Sequence, residues 1–226
     1  ASLRTTGAFP TMADRARFAR AGEAAFNKSE KISSELFTLT YGAVVMQLVA
    51  DYEDVREVNA QLFQLGRRMG QRLVDELFAK AGPALGTRCA DFRDSAEVVA
   101  KTGFRMFLGI GVDVAGWNAE GTACSLVFAH GNPLTNFVEL PADKGELKYC
   151  NVLCGVVQGA LEMVKMNVKC DIVSDTLKGA ETDEIRLELL NMIDEEMDEA
   201  YIDERLNFII PRRTATGICH YQFYLN

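Results

Sequence analysis

The order of hydrophobic patterns predicts an α+β fold with an antiparallel sheet. Helix-period segments come first, alternating strand patterns joined by short turn signals follow, and one more helix precedes a last pair of strands. A regular alternation of strand and helix, which would predict a parallel α/β sheet, does not occur.

The first helix is predicted from "SSELFTLTYGAVVMQLVADY", with Ser33 or Ser34 as the cap that accepts a bond from a free backbone N–H. From Leu36 to Ala50 there is no charge. An ordinary surface helix shows one apolar stripe, whereas this one is apolar on most sides. Burial on two sides accounts for that, one against the chain's own core and one against a partner. The expected partner face carries Phe37, Tyr41, Val44 and Leu48, three or four residues apart.

The second helix runs over about 54–79, with Val55, Val58, Leu62, Leu65, Met69, Leu73 and Leu77 in one stripe. Gly66 and Gly70 lie one turn apart. Glycine costs about 1 kcal/mol against alanine inside a helix, so the pair predicts close approach of another backbone. A third helix, capped by Asp94 or Ser95, reaches about Leu108. Ala96, Ala100 and Gly103 line one side of it, with Val99, Phe104 and Phe107 beside them. Small residues on an apolar face leave room for something.

"IGVDVAGWN" and "TACSLVFAH" flank a turn at Glu120–Gly121 and predict a hairpin. "NFVEL" is a short third strand. "KYCNVLCGVVQGALEMVKMNV" returns to helical period, with Gly155 and Gly159 again one turn apart. "KCDIVSDTL" and "EIRLELLNM" alternate as half-buried strands, with Ile185, Leu187 and Leu189 on one face and Arg186 and Glu188 on the other.

Three segments follow from these patterns. Residues 1–30 read as a loosely ordered lead. Arg4, Arg15, Arg17 and Arg20 among alanines have the composition of a transit peptide, but a disordered lead with its true start at Met12 is the better reading. Residues 31–193 form the folded domain. Residues 194–226 are a tail, first acidic ("DEEMDEAYIDER") and then apolar, with no role read from its pattern.

Composition removes several functions. The 226 residues suit one domain, and 48% hydrophobic residues supply a real core. A net charge of −8 disfavours nucleic acid. No run of about 18 apolar residues predicts a transmembrane helix, and the first residues lack the apolar stretch of a secretory signal. Six cysteines without a pairing framework read as reduced thiols of a cytosolic protein. No phosphate-binding glycine loop occurs. Two histidines, His130 and His220, are poor material for a hydrolase triad or a zinc site. Neither a catalytic residue nor a metal or cofactor is expected.

Cys89, in "TRCADFRD", stands apart. Arg88 and the coming helix N-terminus both favour its thiolate, the reactive form. Asp91 and Asp94 lack a histidine base, so turnover chemistry is disfavoured. Spacing alone leaves a structural thiol ahead of a modified one, since free cysteine is commonly buried.

The stretches "SSELFTLTYGA", "CADFRDSAEVVAKTGFRMFLGI", "NPLTNFVELP", "LCGVVQGALEMV" and "DTLKG…EIR" together resemble the Bet-three class of TRAPP (transport protein particle) core subunits. The resemblance covers about 33–193, and residues 1–30 and 205–226 match nothing in it. It implies an α/β plait, with helices packed on one side of a four-stranded antiparallel sheet. It implies heterodimers with related TRAPP subunits through first helices, and no enzyme activity of the chain alone. The implied setting is the cytoplasm, peripheral at cis-Golgi and ER–Golgi intermediate membranes, in vesicle transport and tethering and in nucleotide exchange on a Rab-type GTPase by the assembly. It further implies a palmitoyl group on Cys89, lying in an internal tunnel walled by Ala96, Val99, Gly103, Phe104 and Phe107. The rival readings are a thioester-forming acyltransferase and a carrier of non-covalent lipid.

Overall fold

The computed structural model describes residues 10–85, 91–141 and 144–193. In chain order these form α1 (Met12–Lys28), α2 (Ser34–Asp51), α3 (Val55–Leu85), α4 (Phe92–Val98), a π-helical segment (Val99–Gly103), α5 (Phe104–Leu108), β1 (Asp113–Ala115), β2 (Ala123–Phe128), α6 (Asn151–Met163), β3 (Met166–Ser174) and β4 (Asp183–Met192). The four strands make one antiparallel sheet in the order β1-β2-β4-β3. Together with the helices this is the expected plait.

The sheet's register shows why the alternation was readable. Cys124 lies opposite Leu187, and Leu187 opposite Cys170; Leu126, Ile185 and Ile172 form the next row. These rows enter the core, while Lys169, Asp171, Arg186 and Glu188 take the other face. A pleat of period two sends every second side chain inward.

The helical layer is set by glycine. A Cβ on Gly66 would sit 2.0 Å from the Val152 carbonyl oxygen, and one on Gly155 would sit 2.1 Å from that of Phe63. Gly70 and Gly159 repeat the arrangement one turn on. Helices α3 and α6 therefore touch backbone to backbone, as the paired glycines predicted. Arg67 closes the edge of this contact, its Nε 2.8 Å from Glu162 Oε2.

Several expectations are corrected. Residues 12–28 are a helix docked on the domain, not a loose lead. Thr11 caps it, with Asp14 N 3.2 Å from Thr11 Oγ1 and Asp14 returning a bond to the Thr11 backbone N–H. Its buried face, Phe18, Ala21, Gly22 and Ala25, is correctly spaced but built of small residues, so no apolar stripe stood out. The cap before α4 is Asp91, whose Oδ1 accepts from Asp94 N at 2.8 Å, rather than Asp94 or Ser95. "NFVEL" forms no strand, because Phe137 adopts φ 65° and Val138 N–H bonds back to Thr135. Helix α6 stops at Met163. Met166 and Val168 fit either period, and pairing with β4 takes them into β3.

Candidate functional site

A cavity of about 410 Å³ lies between α2, α3, the π-helical segment, α5 and α6. Helix α3 contributes Leu65, Met69, Leu73 and Leu77, and α6 contributes Val152, Val156 and Ala160. Leu65 and Met69 are 39% and 38% exposed although they continue the core stripe of α3, because they face this space rather than packed atoms.

The polar groups at its wall are already engaged. Tyr41 Oη donates to the Tyr149 carbonyl, and burial pushes its phenol far above the ordinary range. Thr40 Oγ1 donates to the Leu36 carbonyl at 2.7 Å, within its own helix. A polar ligand would find no free partner among these groups and would lose hydration on entry. An apolar chain loses nothing of the kind. The volume falls within the range of roughly 300–1,000 Å³ common to small-molecule sites.

Of the expected tunnel residues, Val99, Gly103, Phe104 and Phe107 line the cavity. Ala96 does not; it is fully buried in the core one turn before the cavity wall. A Cβ on Gly103 would have the Val98 carbonyl oxygen as its nearest neighbour, at 3.9 Å, so a larger side chain there grows into the cavity. Cys89 lies outside the described residues, in the stretch between Leu85, which ends α3, and Asp91, which caps α4.

The α2 face expected to meet a partner is turned inward. Phe37, Tyr41 and Val44 line the cavity, and Leu48 packs half-buried against the core. Tyr41 also packs edge-on to Tyr149, ring centroids 5.2 Å apart. The outward row is Leu36, Leu39, Ala43 and Met46, with Leu39 63% and Met46 75% exposed. That α2 is apolar on both sides was legible from its lack of charge. Which stripe faced which way was not, because both are apolar. The cavity contribution of α3 was also missed: a stripe reads the same whether its neighbours are atoms or space.

The described cysteines are not reactive sites. Cys124, Cys150, Cys154 and Cys170 are free and buried. Burial pushes the Cys124 and Cys154 thiols up to about 12 and raises Cys150 and Cys170 as well. Cys150 Sγ accepts from Asn132 Nδ2 at 3.2 Å. Among the described residues no cluster of histidine, cysteine or carboxylate side chains could hold a metal ion, and no helix is long and apolar enough to cross a membrane.

Fold and cavity together define a plait domain with an apolar cavity in its helical layer. The family model of the Transport protein particle (TRAPP) component matches residues 37–188, and the chain belongs to that family. It is 48% identical over 186 residues to trafficking protein particle complex subunit 3 of Dictyostelium discoideum, covering 82% of this chain and 98% of that one. It is 40% identical over 173 residues to trafficking protein particle complex subunit BET3 of Saccharomyces cerevisiae, covering 76% and 88%. A similar solved structure is a trafficking protein particle complex subunit 3 from Naegleria fowleri covalently bound to palmitic acid. It superposes with a TM-score of 0.69 at 46% identity, covering 74% of this chain and all of that one.

Proposed function

We propose that this chain is a non-enzymatic core subunit of a transport protein particle and carries a palmitoyl group, thioester-linked to Cys89, in its internal cavity. The cavity is the observation that carries the reading: it is apolar and its wall hydroxyls are spent. The palmitate bound to the related Naegleria fowleri protein gives the class of occupant. Burying about fourteen methylenes at about 0.8 kcal/mol each contributes roughly 11 kcal/mol gross. Ordering the chain takes part of this back. A single acyl chain in a bilayer gives only reversible anchoring, so a preformed cavity competes well for it.

In this reading the chain pairs with related subunits through the outward row Leu36, Leu39, Ala43 and Met46. The assembly acts in ER-to-Golgi vesicle transport and tethering, in the cytoplasm and peripherally on cis-Golgi and ER–Golgi intermediate membranes. It speeds exchange on a Rab-type GTPase by binding the nucleotide-free form more tightly than the loaded one. No side chain of this subunit is asked to do chemistry in that step.

Intact-mass spectrometry of the natively expressed chain tests the core of the proposal. One hydroxylamine-sensitive palmitoyl group is expected. It should be absent from Cys89→Ser and from Gly103→Leu, which fills the cavity without a backbone clash. Acylation at another residue, or none, overturns it. A label from acyl-CoA that turns over would instead favour the acyltransferase reading. Fatty acid retained by Cys89→Ser after extraction would favour the non-covalent carrier.

A further inference from the structure

Helix α1 lies outside the residues matched by the family model, which begin at 37, yet it is fastened to the wall of the cavity. Four contacts fix it. Thr102 Oγ1, in the π-helical segment, donates to the Phe18 carbonyl at 2.9 Å, and both groups are buried. Gly22 lies so close to the same segment that a Cβ there would sit 2.6 Å from the Lys101 carbonyl oxygen. Arg105 Nε of α5 is 2.6 Å from Glu23 Oε2. Arg15 Nε is 2.8 Å from Oε1 of Glu97, a carboxylate with a side chain 1% exposed at the end of α4.

The apolar contact leads to the same place. Phe18, Ala21 and Ala25 pack with Ala81, Leu85, Val98 and Met106, and Leu77 and Phe107 pack against that cluster. Leu77 and Phe107 also line the cavity. Two side chains are thus shared between the seat of α1 and the wall of the cavity. The wall between them is π-helical, a geometry with one extra residue per turn that recurs at functional sites. The seat itself is modest: Phe18 and three small residues are buried, Phe26 lies half-buried against Arg105, and polar ties close the margin.

We propose that α1 is a strap on the acyl cavity. Docked, it holds the π-helical wall and Phe107 in the position that retains an apolar chain. Undocked, it lets that wall part, so that an acyl chain enters or leaves. The inference rests on the cavity being an acyl site and assigns its control to a segment of this same chain.

The test uses the full-length chain carrying Cys89→Ser, so that no thioester fills the cavity, and the fluorescent fatty acid cis-parinaric acid as probe. Probe release is followed after mixing with excess palmitate. Gly22→Leu, which cannot seat against Lys101, should speed release on the order of tenfold, equivalent to about 1.4 kcal/mol. Thr102→Val, which removes one tie and keeps its shape, should speed it by a smaller factor. Hydrogen exchange in 99–108 should rise in both. If Gly22→Leu fails to fold, Thr102→Val and Glu23→Gln carry the test. Probe bound by the parent and released at the parent rate from every folded variant overturns the strap and leaves the acyl cavity standing. A parent that takes up no probe overturns the strap as a gate for a free chain, and the mass of the chain that keeps Cys89 tests the acyl cavity separately.

Discussion

Burial divides the cysteines of this chain by reactivity. A thiol raised to about 12, as Cys124 and Cys154 are, holds almost no thiolate near neutral pH, and thiolate is what reagents attack. With Cys150 and Cys170 also buried and raised, at most Cys89 and Cys219 of the six should label rapidly with a disulfide reagent in the native chain. All six should label after denaturation, and a third fast equivalent in the native state would show that the core is open. The same burial sets a pH dependence. Below about 9 these thiols are neutral in both folded and unfolded chain, and their contribution to stability is fully present. As pH rises from about 9 toward about 12 the unfolded chain ionises first, so stability falls. The denaturant midpoint should therefore drop over that interval, and a flat midpoint would contradict the assignment.

Between elements, the decisive contact is the crossing of α3 and α6. Gly155→Ala places a methyl group against the Phe63 carbonyl, and backbone cannot swing aside as a side chain tip can. Overpacking of this kind costs about 1–3 kcal/mol, and the upper end is expected here, read as a lowered denaturant midpoint at unchanged slope. Gly103→Ala is the control. Its Cβ makes only an ordinary contact, 3.9 Å to the Val98 carbonyl oxygen, and alanine is the better helix former by up to about 1 kcal/mol, so stability should not fall. The second element-scale expectation concerns α2. Leu39→Asp or Met46→Asp should abolish association with a related subunit in size-exclusion chromatography and leave the fold intact, since both residues are exposed. Val44→Asp acts on the cavity instead and should weaken retention of an acyl chain. Normal association of the Leu39 and Met46 variants would overturn the outward row as the partner surface.

For the molecule as a whole, charge is concentrated at one end of the chain. "DEEMDEAYIDER" carries seven carboxylates, enough to steer a basic partner. Deleting residues 194–226 is expected to leave assembly with related subunits intact and to slow nucleotide exchange by the assembled complex. Unchanged exchange would set the tail aside as a solvated end.

The sequence by itself determined the α+β class with an antiparallel sheet, the β1–β2 hairpin, the inward row Ile185, Leu187 and Leu189, and the close approach of α3 and α6. Each rests on a local rule: a period of two or 3.6, a turn residue, or a missing Cβ at one-turn spacing. Val99, Gly103, Phe104 and Phe107 were legible as a wall from small and aromatic residues on an apolar helix together with the family resemblance, while Ala96 of the same set packs into the core. Tertiary structure alone decided the rest. It chose which apolar stripe of α2 faces the cavity, since Tyr41 has Tyr149 to bond to and Leu39 has no such partner. It took Met166 and Val168 into a strand, through pairing with β4. It turned the alanine face of 12–28 into a docked helix, since small residues carry little apolar signal until a closely fitting surface such as Lys101–Thr102 meets them. Periodicity records how much of a side chain avoids water; which surface it meets depends on residues far away in the chain.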